Sequence, residues 1–147
     1  MATMRLQNES APWVERETLV EATPEEVWAA LTDEDRLEEW MAPDVALDPI
    51  EGGEIAVRDG DDERLGTVET IEEEERFAFT WSRPGEGESF VEFTLEPLPA
   101  GTRVTVVETP THSAATNTAA GPTAIASARW DFRLSRLHRS LRFVPVA

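Results

Sequence analysis

The sequence predicts an α+β fold in which a curved antiparallel sheet of about seven strands surrounds a long C-terminal helix. Three observations support this prediction. Apolar and polar residues alternate through the middle of the chain, an apolar stripe at helical spacing marks the C-terminal region, and two short helical patterns follow the first predicted strand. Two short helices cannot cover the apolar face of so large a sheet, so we expect the long helix to fill it.

A strand and two short helices are predicted first along the chain. Residues 13–22 are rich in β-forming side chains and predict the first strand. Thr23 is a suitable N-cap, Pro24 suits the first helical position, and Glu26 completes a capping box, so a helix should begin here. A second short helix is predicted over Asp33–Met41.

Six further strands are predicted after the hydrophobic period becomes alternating near residue 44. The glycines of Glu51-Gly52-Gly53 permit a tight connection between the first two. Turns are predicted over Asp59–Asp62 and over the acidic run Glu72–Glu75. The predicted strands are Asp44–Ile50, Glu54–Arg58, Leu65–Ile71, Phe77–Trp81, Val91–Leu95 and Thr102–Thr109.

The C-terminal part of the chain predicts a loop and then the long helix. Residues 110–124 are small and polar, include two prolines, and predict a flexible loop or lid. Pro145 should close the helix that follows. Its apolar stripe consists of Ala126, Trp130, Leu134, Leu137 and Leu141. We expect residues 1–12 to form an N-terminal tail and residues 13–147 to form one domain.

Composition and charge exclude several classes of function. The chain has 147 residues, 13 basic side chains that are all arginine, 30 acidic ones, a net charge of −17 and no cysteine. Such a charge repels nucleic acid and anionic lipid head groups, so nucleic-acid binding is not expected. The longest apolar runs are only a handful of residues, so membrane insertion is not expected either. Disulfide and thiol chemistry are excluded, and we expect a cytoplasmic protein. Residues 123–147 hold five arginines and one acid, which predicts either charge pairing with the acidic remainder or an anion-binding face.

The order of the elements and several short motifs carry a family resemblance. The motifs are Thr23-Pro24-Glu25-Glu26-Val27-Trp28, Leu37 through Trp40, Gly52-Gly53, Gly66 with Val68, Arg76-Phe77-Ala78-Phe79-Thr80-Trp81, Gly101-Thr102-Arg103-Val104, and Trp130 with Leu137. Over residues 13–143 the chain resembles the START-related, birch-pollen-allergen-like (SRPBCC) superfamily of helix-grip domains. Within it, the chain is similar to the branch of the heat-shock-protein-90 ATPase activator.

The resemblance implies a cavity between the long helix and the concave sheet, used in the superfamily for lipids, polyketides, hormones and other apolar molecules. A helix across a curved sheet independently leaves a gap that side chains fill or leave open. Strand parity and the helical stripe give the inward residues, which either pack as core or contact a ligand. The candidate cavity-lining residues are Phe77, Phe79, Trp81, Val91, Phe93, Val106, Glu108, Trp130, Leu134 and Leu137, with Val104 on the same face.

Glu108 is the most informative single residue, because its parity places a carboxylate on the face of Val104 and Val106. A carboxylate in such a position is costly unless it is paired, hydrated or protonated. Two interpretations follow: a buried pocket residue, for which Arg133 on the last helix is a candidate partner, or a strand end that frays into solvent.

Other chemistries lack a sequence motif. His112 and His138 are the only histidines, and their spacing matches no zinc site, so neither a metal nor another cofactor is expected. Ser113 is adjacent to His112 in the polar loop, which does not define a catalytic triad, and no catalytic residue is assigned.

The sequence therefore favours a non-catalytic binding protein whose cavity accepts a small apolar or amphipathic molecule. One alternative is a polyketide cyclase- or hydrolase-like enzyme that uses Glu108 as acid or base. An enzyme needs several titratable groups aimed at one place, and Glu108 alone is identified. Another alternative is a co-chaperone-like domain that binds proteins through its surface. The sequence is also compatible with a homodimer.

Overall fold

The computed structural model describes residues 12–111 and 120–142, and its elements follow the predicted order. A strand is followed by two short helices, six strands and one long helix. The elements are β1 (Val14–Val20), α1 (Pro24–Thr32), α2 (Glu34–Trp40), β2 (Asp44–Leu47), β3 (Glu54–Asp59), β4 (Asp62–Glu72), β5 (Arg76–Ser82), β6 (Ser89–Leu98), β7 (Gly101–Pro110) and α3 (Ala120–Arg142).

The seven strands form one antiparallel sheet in the order β1-β7-β6-β5-β4-β3-β2. The first strand therefore pairs with the last, with Val14 opposite Glu108. The long helix α3 packs on the concave face through Trp130, whose ring centroid lies 5.6 Å from Phe93 and 6.2 Å from Trp81. This arrangement confirms the predicted α+β helix-grip fold. No helix among the described residues is both long enough and apolar enough to cross a membrane.

The sheet bends where β4 meets β5. The register between these strands shifts between Val68 and Thr70, which marks a bulge, and bulges increase local twist. Gly66 lies opposite Trp81, and a β-carbon at this glycine would stand 1.7 Å from the carbonyl oxygen of Thr80. Only a residue without a side chain allows the strands to approach so closely here.

The two short helices form a tightly joined pair that covers the middle of the sheet. The predicted capping box is present, with the Glu26 amide donating to Thr23 Oγ1 over 3.1 Å and the Thr23 amide donating to Glu26 Oε1 over 2.9 Å. Asp33 ends α1 and caps α2. The buried Trp40 indole of α2 donates to the Ala30 carbonyl of α1 over 2.9 Å, which fixes their mutual position.

Several predicted element boundaries differ from those of the structure, for example β6, which spans Ser89–Leu98 where Val91–Leu95 was predicted. The strand predicted over Asp44–Ile50 ends at Leu47, because Pro49 has no amide to donate to the ladder. The strand predicted to begin at Leu65 already begins at Asp62. The helix α3 begins at Ala120, inside the predicted loop 110–124, because alanine is a strong helix former and Pro122 is tolerated in a first turn. The remaining loop residues 112–119 lie outside the described part, and a lid there stays a prediction.

Candidate functional site

A pocket of about 310 Å³ lies between the N-terminal half of α3 and one end of the sheet. Because neighbouring strands are antiparallel, the starts of β4 and β6 meet the ends of β5 and β7 at this end. The sheet contributes Arg64, Trp81, Ser82, Arg83, Ser89 and Glu108 to the lining. The helix contributes Ile125, Ala126, Arg129, Trp130 and Arg133, and Trp13 completes the rim with Glu86 and Gly87.

Glu108 is a buried carboxylate at the floor of this pocket, with 2% of its surface exposed. Its Oε2 accepts hydrogen bonds from the indole of Trp81 over 2.9 Å and from the hydroxyl of Ser89 over 2.5 Å. Its Oε1 accepts from the indole of Trp130 over 2.8 Å. The nearest guanidinium is that of Arg64, with Nη1 4.0 Å from Oε2. Three donors and a nearby cation satisfy this carboxylate, so its burial is compensated.

Strand register explains why these groups meet. Glu108 lies opposite Val91 on β6, and Ser89 precedes Val91 on the same face. Ser89 in turn lies opposite Trp81 on β5, so three adjacent strands present the three side chains together. The fourth side chain of this cluster, Trp130, lies on the apolar stripe of α3, and its ring stacks on Trp81.

Asp62 binds three of the guanidinium groups that line the pocket. Its carboxylate receives a hydrogen bond from Arg83 Nε over 2.9 Å, one from Arg64 Nε over 3.3 Å and a third from Arg129. Burial raises the pKa of Asp62, but the positive charges of Arg64, Arg129 and Arg83 outweigh this effect, and the net pKa lies below its ordinary value of 3.8.

Replacing Asp62 with asparagine is expected to lower the free energy of unfolding by about 1–3 kcal/mol at neutral pH, since three guanidiniums lose a shared counter-charge. The folded pKa of Asp62 is lowered, so its stabilisation is present above 3.8 and is lost as the pH falls through the folded value. We expect urea unfolding between pH 7 and pH 3 to show that the difference in the free energy of unfolding between the wild type and Asp62→Asn narrows at the acidic end. A difference that does not change with pH would contradict this role of the Asp62 carboxylate.

Arg133 lies in the α3 side of the pocket and is 6% exposed. Its guanidinium carbon lies 4.8 Å from the ring centroid of Trp130 and 5.4 Å from that of Trp81. Burial, and then repulsion by Arg64, lower the pKa of Arg133 to about 10, with Glu108 acting in the opposite direction. The side chain is therefore still a cation at neutral pH.

Three of the ten predicted cavity residues line this pocket: Trp81, Glu108 and Trp130. The other seven are buried elsewhere in the core: Phe77, Phe79, Val91, Phe93, Val106, Leu134 and Leu137. Phe93 shows the reason, since its ring contacts Trp40, Phe77 and Phe79 within 6.4 Å. Aromatic side chains and the short helices fill the middle of the concave face, and the open volume remains at one end.

Two further sequence predictions concern Glu108 and its surroundings. Glu108 is buried and does not fray into solvent. The prediction that Arg133 is its direct partner is wrong, because the short hydrogen bonds come from two indoles and a serine, and the nearest guanidinium is Arg64. Two indole donors and a serine hydroxyl occupy the carboxylate oxygens, while the guanidinium of Arg133 lies over the two indole rings.

Several pocket residues were not predicted from the sequence, namely Arg64, Arg83, Arg129 and Ser89, and neither was Asp62, which binds the three arginines. Parity could have found two of them: Arg64 shares a strand face with the buried Val68, and Ser89 shares one with Val91. No group of three or more potential metal-ligating side chains occurs within residues 12–111 and 120–142. His138 is half-buried on α3, and His112 lies outside the described part.

A family model described as "Activator of Hsp90 ATPase homolog 1-like protein" matches residues 21–141 of the chain. No curated protein matches. Among solved structures, the chain is 28% identical to DynU16, a protein of the dynemicin biosynthetic locus, with a TM-score of 0.76. The match covers 87% of this chain and 46% of DynU16, so the chain spans less than half of that protein's length.

Two more distant structures share the fold. CalU16 from Micromonospora echinospora is 23% identical over 86% of this chain and 73% of its own, with a TM-score of 0.69. An Aha1 dimer from Colwellia psychrerythraea is 20% identical over 90% of this chain and 98% of its own, with a TM-score of 0.76.

Proposed function

This chain belongs to the family of Activator of Hsp90 ATPase homolog 1-like proteins, and from that premise we propose that it binds a small amphipathic molecule in the pocket beneath α3. The observation that carries the proposal is an open volume of about 310 Å³ bordered by two stacked indole rings and by charged groups. This volume lies near the lower end of the range of roughly 300–1,000 Å³ found for small-molecule sites.

The lining suits a molecule with an aromatic or alicyclic body. Trp81 and Trp130 are held in place by their hydrogen bonds to Glu108, so these two lining side chains need no rearrangement when a ligand enters the pocket. Ala126 and Ile125 add apolar surface from the helix. The other lining residues are mostly polar or charged, four of them arginines, and these groups would orient a bound molecule.

Binding fits the geometry of Glu108 better than catalysis does. A general base must hold a lone pair within reach of the proton that it removes. Both oxygens of Glu108 already accept hydrogen bonds from buried donors, and Ser89 and the two indoles would lose their acceptor if it turned toward a substrate. The cyclase- or hydrolase-like alternative therefore requires a rearrangement that binding does not. The co-chaperone-like alternative rests on the family name alone.

Narrowing the pocket from the helix side should abolish ligand binding and leave the fold intact. We expect Ala126→Trp to occupy the open volume, whereas Ala128→Trp, on an exposed position of the same helix, should not. The neutral probe is 1-naphthamide, within a panel of small neutral aromatic amphiphiles, and binding is measured by saturation-transfer NMR. A ligand at about 100 times its Kd should raise the free energy of unfolding by about 2.7 kcal/mol, which is measured as a higher melting temperature.

Native mass spectrometry of the freshly purified chain complements this test, because a co-purified small molecule would identify the natural ligand directly. The proposal is contradicted if the wild-type chain binds no member of the panel more strongly than Ala126→Trp does. It is also contradicted if both tryptophan variants lose binding equally while remaining folded, since the ligand would then not lie in this pocket.

A further inference from the structure

Resting on the function proposed above, we propose that the ligand of this pocket is a monocarboxylate whose anionic group is bound by the guanidinium of Arg133. The proposal goes beyond a general apolar ligand, because it names the charged group that the ligand carries and the residue that recognises it.

Arg133 is a buried cation without a polar partner among the described residues. It is 6% exposed, yet neither a hydrogen bond nor an ion pair joins its side chain to any residue within 12–111 and 120–142. Its contacts there are with the faces of Trp81 and Trp130. A buried charge is costly unless it is paired and hydrogen-bonded, so the free protein keeps an unmet requirement for an anion at this position.

The other charged groups around the pocket already have partners. Arg64, Arg83 and Arg129 donate to Asp62, and Arg64 lies 4.0 Å from Glu108. The indole donors of the two tryptophans and the hydroxyl of Ser89 are taken by Glu108. Of the four arginines that line the pocket, Arg133 is therefore the one without a carboxylate partner among the described residues.

The local charge balance favours a single negative charge on the ligand. Four arginine guanidiniums line the pocket, against the buried carboxylate of Glu108, the lining carboxylate of Glu86 and the half-buried carboxylate of Asp62 behind them. This is a positive surplus within a chain whose net charge is −17, so the site opposes the repulsion that an anion meets elsewhere. A dianion would place a second charge near Glu108, which disfavours a phosphate monoester.

The guanidinium geometry fits a carboxylate. Arginine presents a planar fork that binds both oxygens of a carboxylate, and its face can stack on an aromatic ring at the same time. Arg133 is positioned over both indoles and lines the pocket together with Ile125 and Ala126, so a carboxylate in its fork would leave the rest of the ligand in the pocket against these two helix residues.

The test compares 1-naphthoate with 1-naphthamide, which has the same ring system but no charge, by isothermal titration calorimetry on the full chain at fixed ionic strength. We expect 1-naphthoate to bind at least about tenfold more tightly, the ratio that corresponds to one charge-assisted hydrogen-bonding group. Equal affinities would overturn the carboxylate proposal and leave the proposed function standing. Tighter binding of 1-naphthyl phosphate than of 1-naphthoate would also overturn it.

Two variants with the same change of net charge locate the recognising group. Arg133→Met should remove the preference for 1-naphthoate and keep the affinity for 1-naphthamide, whereas Arg139→Met, at an exposed position of α3, should keep the preference. Replacing a buried charge with an apolar side chain of similar volume is often neutral or stabilising, so Arg133→Met should melt no lower than the wild type. A preference that survives in a folded Arg133→Met chain would overturn the assignment. If Arg133→Met does not fold, the ratio of the affinities for 1-naphthoate and 1-naphthamide is compared between Arg133→Gln and the wild type instead. A ratio that is unchanged in a folded Arg133→Gln chain would overturn the assignment.

Discussion

Replacing Glu108 with alanine is expected to lower the free energy of unfolding by roughly 3–5 kcal/mol, the range found when one member of a buried charged network is removed. The indoles of Trp81 and Trp130 and the hydroxyl of Ser89 would lose their acceptor inside the protein. Arg64 would lose the counter-charge 4.0 Å away. Because this one side chain joins β5, β6, β7 and α3, urea denaturation should register its loss as a large drop in the unfolding midpoint.

Two variants separate the loss of the acceptor from the loss of the side chain. Glu108→Gln keeps the volume but replaces one acceptor oxygen with an amide donor, so a smaller loss of about 1–3 kcal/mol is expected. Glu17→Ala removes an exposed carboxylate from β1 and should change the stability by less than about 0.5 kcal/mol. If Glu108→Ala were as stable as Glu17→Ala, the carboxylate would not hold the sheet and α3 together.

Strand parity predicted the position of Glu108 but not its partners. Alternation along β7 fixes the face on which a side chain lies, so Glu108 shares the inner face with Val104 and Val106. The partners come from elements that are distant in sequence, and their identity depends on strand register. Trp130 and Trp81, 22 and 27 residues from Glu108, meet it because β5, β7 and α3 converge there.

The same limit explains why only three of the ten candidate cavity residues line the pocket. Parity separates the inner face from the outer face, but it does not tell the middle of the sheet from its ends. Phe77 and Phe93 lie under α1 and α2, where the rings of Trp28 and Trp40 contact them edge-on. Trp81 lies near the end of β5, beyond the reach of those helices, and there the volume stays open.

The arginines of the pocket show a second limit of prediction from sequence: the net charge of a segment does not show which of its residues are paired. The basic C-terminal segment predicted either charge pairing or an anion-binding face. The structure shows that residues of one helix differ in this respect, since Arg129 pairs with Asp62 while Arg133, four residues later on the same side, is buried over aromatic rings. Composition gives the total charge of a segment. Which of its arginines pairs with a carboxylate and which is buried over aromatic rings depends on how α3 packs against β4 and β5.

Replacing Trp130 with alanine is expected to lower the free energy of unfolding by about 3–5 kcal/mol and to loosen α3 from the sheet. The fully buried ring contacts Phe93 and stacks on Trp81, and its indole donates to Glu108 over 2.8 Å. Amide hydrogen exchange should show lost protection in α3 before the central strands, because no other aromatic ring of the described helix enters this cluster.

Trp130→Phe distinguishes the two contributions of this residue, because it keeps most of the ring and deletes the indole donor. The expected loss is about 1.5–3 kcal/mol, the value of one hydrogen bond to a charged group, with α3 protection largely retained. If Trp130→Ala left both stability and α3 exchange unchanged, the helix would be held by other contacts, and the pocket between helix and sheet would lose its structural basis. If Trp130→Phe lowered the free energy of unfolding as much as Trp130→Ala, the hydrogen bond to Glu108 would contribute more than the ring contacts. The attachment of α3 to the sheet would then depend chiefly on polar interactions.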